Sequence, residues 1–379
     1  MLILVVNCGS SSAKYDLFDV KKEESLCRGV VERIGEGASI LKYETKDNDK
    51  VEKEVSCPDH HRAVQLIKET LEDPETGMLS DSGRLMGVGH RVVHGGEEFY
   101  ESVLIGEEVV KSIEKYSELA PLHNPPSLEG IRASMKYFPG IPQVAVFDTA
   151  FHQTMPKHAY CYGVPYEFYE KYGVRRYGFH GTSHRYVAGK AAQELGRPAG
   201  ELNLITTHLG NGCSIAAISG GKVIDTSMGF TPLEGLLMGT RSGDLDPAVV
   251  FFLMQREGLD IDGISAMLNK ESGLLGVSGV SNDMRDILKA MGEGDKRATL
   301  AYDIFVYRIL KYVGAYAAVL GKVDAVVFTA GIGENVPRIK ESVKKQLAPM
   351  LPDTKFLTIG TNEELLIAKD TYGIVSDKR

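Results

Sequence analysis

The sequence predicts an α/β protein built from two duplicated halves, on three observations. First, LVVNCGSSSAKYDL (residues 4–17) and LITTHLGNGCSIAA (residues 204–217) share one outline: a β-branched run, a break at small polar residues, and a second strand. Second, their starts at Leu4 and Leu204 lie too far apart for a local motif and mark an internal repeat. Third, IPQVAVFDTAFH (residues 141–152) and VDAVVFTAGIGEN (residues 323–335) are each an apolar strand running into a turn, and the second reads as the mirror of the first. Glycine and short polar residues in the two hairpin turns leave backbone N–H groups bare, a concave row suited to phosphate oxygens. Two such turns imply two halves facing one polyphosphate. Either turn alone is also consistent with an ordinary hairpin. Neither has the GxxxxGK[ST] spacing of a P-loop.

Bulk properties narrow the class. A chain of 379 residues is long enough for two or three domains. Hydrophobic content of 43% and charged content of 25% are those of an ordinary globular protein. The net charge of −8 argues against a sequence-independent grip on nucleic acid. Five scattered cysteines without CxxC spacing favour a reducing compartment over a disulfide framework or a zinc site. The apolar opening LILVV is too short for a signal peptide, and no run approaches membrane-spanning length, so a cytoplasmic location is expected.

In chain order, the first hairpin places Asn7 at a strand end and Lys14 beyond the turn, a point charge within reach of phosphate. Cys27 to Glu54 reads as further strands broken by a polar turn at 46–50. A helix from His61 to Leu71 places Ala63, Leu66, Ile67 and Thr70 on one face, with a stop at 74–77. The next apolar strand runs into His90, Arg91, Val92, Val93 and His94 before a Gly-Gly turn. His90 and His94 have the spacing of a helical zinc pair, but the glycines point to a strand end and no third ligand is near. Arg91, at such an end, is a candidate clamp for carboxylate or phosphate, or equally a surface ion pair.

An amphipathic helix is predicted over 107–119, a stop at APLHNPP, and a second helix over 127–136. The strand Gln143 to Phe147 then ends on Asp148, which either faces a ligand crevice or caps the following turn. The domain boundary is placed here, giving domains 1–150 and 151–363. The linking segment is aromatic and glycine-rich and carries His180 and His184, for which a polar ligand contact is expected rather than zinc. Residues 225–247 have little periodicity, and such irregular stretches are usually functional; Arg241 sits there between glycines. Helices follow over 247–257 and 261–269, a loop places Asp283 and Arg285 on alternate sides, and a long core helix spans 297–320. The strand 325–329, its glycine turn and the following helix offer N-terminal amides to a nucleotide. Glu363 and Glu364 open a last helix.

Together the segments NCGSSSAKY (7–15), GHRVVHGG (89–96), HNPP (123–126), FDTAFH (147–152), YGFHGTSH (177–184), HLGNG (208–212), MGFTPLEGLLMGTRSGDLDP (228–247) and FTAGIGEN (328–335) carry a resemblance. Over its full length the chain resembles the acetate kinases. That resemblance implies the duplicated ribonuclease-H-like fold of the sugar kinase, heat-shock chaperone and actin superfamily. Each domain would have a βββαβαβα core, ATP would bind in the interdomain cleft, and the last helix, about 364–379, would return to the first domain. It implies reversible transfer of the ATP γ-phosphoryl group to acetate, giving acetyl phosphate and ADP.

The family's roles, carried onto this chain, make Arg91 and Arg241 holders of the carboxylate and the phosphoryl group, and His180 a donor to that group. Asn7 and Glu363 match Mg2+ positions, with Mn2+ able to substitute. Lys14, His208, Leu209, Gly210, Asn211 and Gly212 match phosphate contacts. Asp283, Met284, Arg285, Gly331, Ile332, Gly333, Glu334 and Asn335 match the adenosine site. Val93, Leu122, Phe179 and Pro232 match an apolar pocket for the acetate methyl. Acetate is already ionised at neutral pH, so Asp148 is expected to orient an arginine or a metal-bound water rather than to move a proton. A homodimer without nucleic-acid or membrane partners is also implied. The rivals are a propionate or other short-chain carboxylate kinase, an ATP-driven binding module of the chaperone or actin kind, and a metalloenzyme using the histidines.

Overall fold

The computed structural model describes residues 1–47, 50–74, 77–79, 85–121 and 123–377. The chain divides into two compact units, Met1–Ala150 with Asn362–Arg379, and Phe151–Thr361. The turn expected at 46–50 and the helix stop expected at 74–77 lie partly outside the described residues.

The first unit holds a sheet of β1 (Leu2–Cys8), β2 (Ser12–Asp19), β3 (Glu24–Glu32), β4 (Ser39–Thr45), β5 (Lys50–Val55), β6 (Leu85–Val92), β7 (Val103–Leu104) and β8 (Gln143–Phe147). Their order is β5-β4-β3-β2-β1-β6-β8-β7. One face, with Leu4, Val6, Tyr15, Leu17 and Leu41, buries against Ile67 and Leu71 of the helix His60–Leu71 and Ala133 of the helix Asn124–Tyr137. The latter begins three residues before the predicted Ser127, because Pro125 and Pro126 sit in its first turn, where a missing N–H costs no helical hydrogen bond. The preceding helix, Glu107–Lys115, is shorter than predicted, since its last turn tightens into a 3-10 turn at Tyr116–Glu118.

The terminal helix Glu363–Ser376 lies on β6, where two glycines make room for it. A Cβ on Gly89 would collide with Thr371 Oγ1 and stand 2.7 Å from Ile367 Cγ2. Gly89→Ala should therefore push the helix off the sheet and lower stability by about 1–3 kcal/mol, the usual cost of overpacking. A thermal melt checks this, and an unchanged melting temperature would show that the helix shifts freely.

The second unit holds β9 (Asn203–Leu209), β10 (Cys213–Ser219), β11 (Lys222–Thr226), β12 (Ala325–Thr329) and β13 (Lys355–Thr358), ordered β11-β10-β9-β12-β13. β9 and β10 pair antiparallel, as do β10 and β11, while β12 runs parallel to β9 and β13 parallel to β12. The first unit repeats this pattern in β3-β2-β1-β6-β8. The duplication is thus real, but the expected mirror is displaced by one strand. β12 neighbours the hairpin as β6 does, so its counterpart is the strand that carries Arg91, and β13 is the counterpart of β8. An apolar run before a turn looks the same in both positions, and only pairing separates them.

Behind this sheet the helix Gly181–Leu195 packs Val187, Ala188, Ala191 and Ala192 on Leu204, Ala216 and Val327. The helix Lys296–Leu320 buries Tyr302, Phe305, Ile309, Val313 and Tyr316, close to the predicted span. Among the described residues no helix is long and apolar enough to cross a membrane.

Candidate active site

In the first unit the parallel register sets Arg91 of β6 opposite Val146 of β8, so that Arg91 and Asp148 finish neighbouring strands on one edge. The Asp148 N–H donates to Val92 O at 2.9 Å. Arg91 Nε donates to Asp148 Oδ1 at 3.0 Å and Arg91 Nη2 donates to Oδ2 at 2.7 Å, a two-point fork on a carboxylate that is 1% exposed. Asp148 therefore neither caps a turn nor faces solvent. Glu363, opening the terminal helix, brings its Oε2 to 3.9 Å from Arg91 Nε. Burial pushes the Glu363 carboxyl up to about 7, with Arg91 opposing the shift and Asp148 adding to it.

A largely buried carboxyl whose pKa is raised despite Arg91 beside it, with the Asn7 amide on the same sheet edge and Lys14 opposite Asn7 across the hairpin, is a fitting place for a hard cation. Among the described residues no group of three or more His, Cys, Asp or Glu forms a metal cage. Mg2+ takes one or two carboxylates and completes its shell from phosphates and water, so this set suits it. It does not suit zinc. His90 Nε2 donates to Gln143 Oε1 at 2.8 Å, and His94 Nδ1 accepts from Gly96 N at 3.0 Å. Burial lowers the His90 pKa to about 4 and keeps it neutral.

In the second unit three segments converge on the β9–β10 turn. A Cβ on Gly212 would stand 3.4 Å from Arg241 Nη1 and 3.5 Å from His180 Nε2. His180 has φ 57°, a left-handed conformation uncommon for a residue with a side chain, at the start of the helix Gly181–Leu195. Its ring stacks on His208 at 4.2 Å. His152 Nε2 donates to Phe179 O at 2.9 Å and so pins the residue before it. Arg241 Nη1 donates to Pro232 O at 3.1 Å, and among the described residues no carboxylate pairs with this guanidinium. Burial accordingly lowers its pKa. The irregular stretch that carries Arg241 is tied to the turn: Gly239 N donates to Asn211 O at 2.9 Å, and Asn282 Nδ2 donates to Asn211 Oδ1 at 3.0 Å.

A largely buried cation and a histidine edge, both within contact reach of a glycine turn, are the groups that could cradle a tetrahedral anion. Gly212→Ala tests this. The added methyl meets both groups at ordinary contact distance, so folding should be unaffected, while phosphoryl approach is blocked. The expected result is an unchanged melting temperature with kcat down roughly tenfold or more.

The model of the acetokinase family matches residues 2–354. An acetate kinase of Halothermothrix orenii is 56% identical, covering 99% of this chain and 100% of its own. The crystal structure of Porphyromonas gingivalis acetate kinase superposes with a TM-score of 0.95 at 48% identity, over 99% of both chains. A propionate kinase from Francisella tularensis follows at 0.91 and 41%, covering 98% of this chain and 99% of its own. The chain belongs to the acetokinase family. Its fold is the duplicated, actin-like ATPase fold, and identity of this order to curated acetate kinases over the full length carries acetate kinase activity with it.

The remaining residues drawn from the acetokinase resemblance fall into two groups. Of those on the phosphate turn, His208 and Leu209 end β9, with Leu209 fully buried, and Gly210, Asn211 and Gly212 form the turn itself, where Asn211 is exposed. Those expected around adenosine are partly engaged by the protein. Asp283 and Arg285 are not on alternate sides of the loop. Asp283 caps the helix Met284–Gly292 by accepting from Arg285 N, and it pairs with the Arg285 guanidinium, which lowers its pKa to about 2. Met284 is buried. Glu334 Oε1 accepts from Ala330 N at 2.8 Å and Thr361 N at 3.1 Å, so one amide of the strand-turn-helix is taken by its own chain. Asn335 Nδ2 donates to Gly331 O at 2.8 Å, while Gly331 is exposed, Gly333 is buried, and Ile332 lies between these extremes.

Of the methyl-pocket residues, Phe179 is buried in front of His180, Pro232 carries the carbonyl that holds Arg241, and Val93 follows β6 in the first unit. Leu122 lies outside the described residues. His184, expected at a ligand, is fully buried and bonded to Thr206 and Ser214 instead. Thr206 and Ser214 were not legible as site residues one by one. The signal was their period: 206, 208 and 214 are polar positions on one face of the paired strands β9 and β10.

Proposed function

We propose that Arg91, Asp148, His180 and Arg241 carry the in-line transfer of the ATP γ-phosphoryl group to acetate. Asp148 holds Arg91 so that its free edge takes the acetate carboxylate. Arg241 and His180 Nε2 draw charge from the equatorial oxygens of the phosphoryl group, and the β9–β10 turn receives the phosphates with its amides. An acetate oxygen forms a bond to phosphorus as the bond to the β–γ bridging oxygen breaks, and ADP leaves. No general base is needed, because the nucleophile is ionised at neutral pH. The work left to the protein is to bring two anions together and to stabilise the charge spread over the transferring group.

Asn7 and Glu363 would hold Mg2+, which when bound neutralises phosphate charge. Lys14 adds a cation at the phosphates, with 283–285 and 331–335 about the adenosine. The two compact units act as its domains, the terminal helix serving the first. A homodimer in the cytoplasm fits the family. The observation that carries this reading is the largely buried Arg241 guanidinium, without a carboxylate partner among the described residues, beside His180 over Gly212.

The family resemblance assigns Val93, Leu122, Phe179 and Pro232 to the acetate methyl; one more methylene against such apolar side chains is worth about 1–3 kcal/mol, so propionate should be a poorer substrate rather than an excluded one. The test is to incubate protein with ATP, Mg2+ and acetate, propionate or butyrate, and to trap acyl phosphate with hydroxylamine. Most hydroxamate with acetate supports both reaction and pocket. More with a longer acid would overturn the pocket; none with any acid would overturn the reaction.

A further inference from the structure

Behind the phosphate turn of the second unit, buried polar groups stand in line. Thr206 Oγ1 is 2.7 Å from His184 Nδ1, His184 Nε2 is 2.8 Å from Ser214 Oγ, and Ser214 Oγ is 2.9 Å from His180 Nδ1. Thr206, His184 and Ser214 are each 0% exposed. Such a chain runs in one of two senses, and the sense decides which nitrogen of His180 bears its proton.

Thr206 decides it. Among the described residues its hydroxyl has His184 Nδ1 as its one partner. If that hydroxyl accepted, its own proton would be buried without an acceptor, at a cost of about 1–3 kcal/mol. Thr206 therefore donates to Nδ1. Burial holds His184 neutral, with His152 and His208 adding in the same direction, so its single ring proton is on Nε2 and donates to Ser214 Oγ. The Ser214 proton then goes to its remaining partner, His180 Nδ1.

We propose that Thr206, His184 and Ser214 are positioning residues that hold His180 in the tautomer with its proton on Nε2, so that it meets the phosphoryl group as a donor. The inference rests on the reading of His180 as a donor to that group. Nε2 is the edge that borders Gly212 beside Arg241 Nη1. The opposite sense would turn a lone pair toward a phosphoryl oxygen, which repels. The chain thus does for the imidazole what Asp148 does for Arg91: it selects the orientation of a group that touches substrate without touching substrate itself.

Histidine-15N-labelled, full-length protein tests this by NMR, which distinguishes protonated from bare ring nitrogens; signals are assigned by their loss in His180→Asn and His184→Asn. The expected result in the wild type is a bare Nδ1 and a protonated Nε2 on both His180 and His184. A proton on Nδ1 of His180 overturns the proposal, whatever the variants do. In kinetics, Thr206→Val should lower kcat roughly tenfold with both KM values within about twofold, and Thr206→Ser should restore it. An unchanged kcat in Thr206→Val, with His180 still protonated on Nε2, also overturns it. Failure of the underlying reading looks different: the tautomer would be as proposed, but His180→Ala would keep the wild-type kcat.

Discussion

Arg241→Ala should lower kcat by on the order of 10² to 10³, with little change in KM for ATP. The side chain is largely buried, bonds the Pro232 carbonyl and has no carboxylate partner among the described residues. A guanidinium kept in such a place is stabilised by an anion only when ligand is present, and most strongly when charge spreads over the transferring oxygens. Its loss therefore falls on the transition state more than on the ground state. Stability should move little, because the packing that is lost is offset by relief of an uncompensated charge. Arg241→Lys should not rescue, since one ammonium cannot reach both the Pro232 carbonyl and a phosphoryl oxygen with a planar fork. Steady-state kinetics with a thermal melt reads both, and a wild-type kcat in Arg241→Ala would remove the residue from the mechanism.

Asp148→Asn should lower kcat/KM for acetate by on the order of 10², at saturating Mg2+. The amide keeps the shape, but its nitrogen would face an N–H of Arg91 where a carboxylate oxygen now accepts at 2.7 Å. Donor then opposes donor, and Arg91 turns away from its held position. Removing one partner of a buried pair costs about 3–5 kcal/mol when both are fully buried. With the Arg91 side chain 22% exposed, the stability loss should be smaller than that. If Asp148→Asn kept most of its activity at ordinary Mg2+ levels, the orienting role would be wrong.

Much of this was legible in the chain because it is local. The β1–β2 and β9–β10 hairpins, the strand Gln143–Phe147 and the helix Pro247–Glu257 follow from β-branched runs, apolar periodicity, glycine turns and a helix-opening proline. Helix ends were misread where local signals conflict: the prolines of 125–126 read as a stop, yet they open the helix Asn124–Tyr137. The fourth and fifth strands of each repeat, β6 and β8 or β12 and β13, cannot be told apart by an apolar run before a turn, and pairing alone assigns β12 as the counterpart of β6.

Residue types with a plain charge or a glycine turn, such as Arg91, Arg241, His180 and the 208–212 turn, announce themselves in the sequence. What they are paired with does not. Asp148 gripping Arg91, Glu334 folding back on Ala330 and Thr361, and Asp283 closing on Arg285 all depend on which strands and loops become neighbours. The family and the duplicated α/β plan are legible in the chain alone, as are the candidates for reacting side chains, because these rest on composition and spacing along the chain. Tertiary pairing alone reveals that Arg241 has no carboxylate partner among the described residues, that Arg91 has one, and that a buried hydrogen-bonded row runs from Thr206 to His180. Those are matters of burial and of donor–acceptor pairing between segments far apart in sequence, where desolvation makes each missing or present partner count.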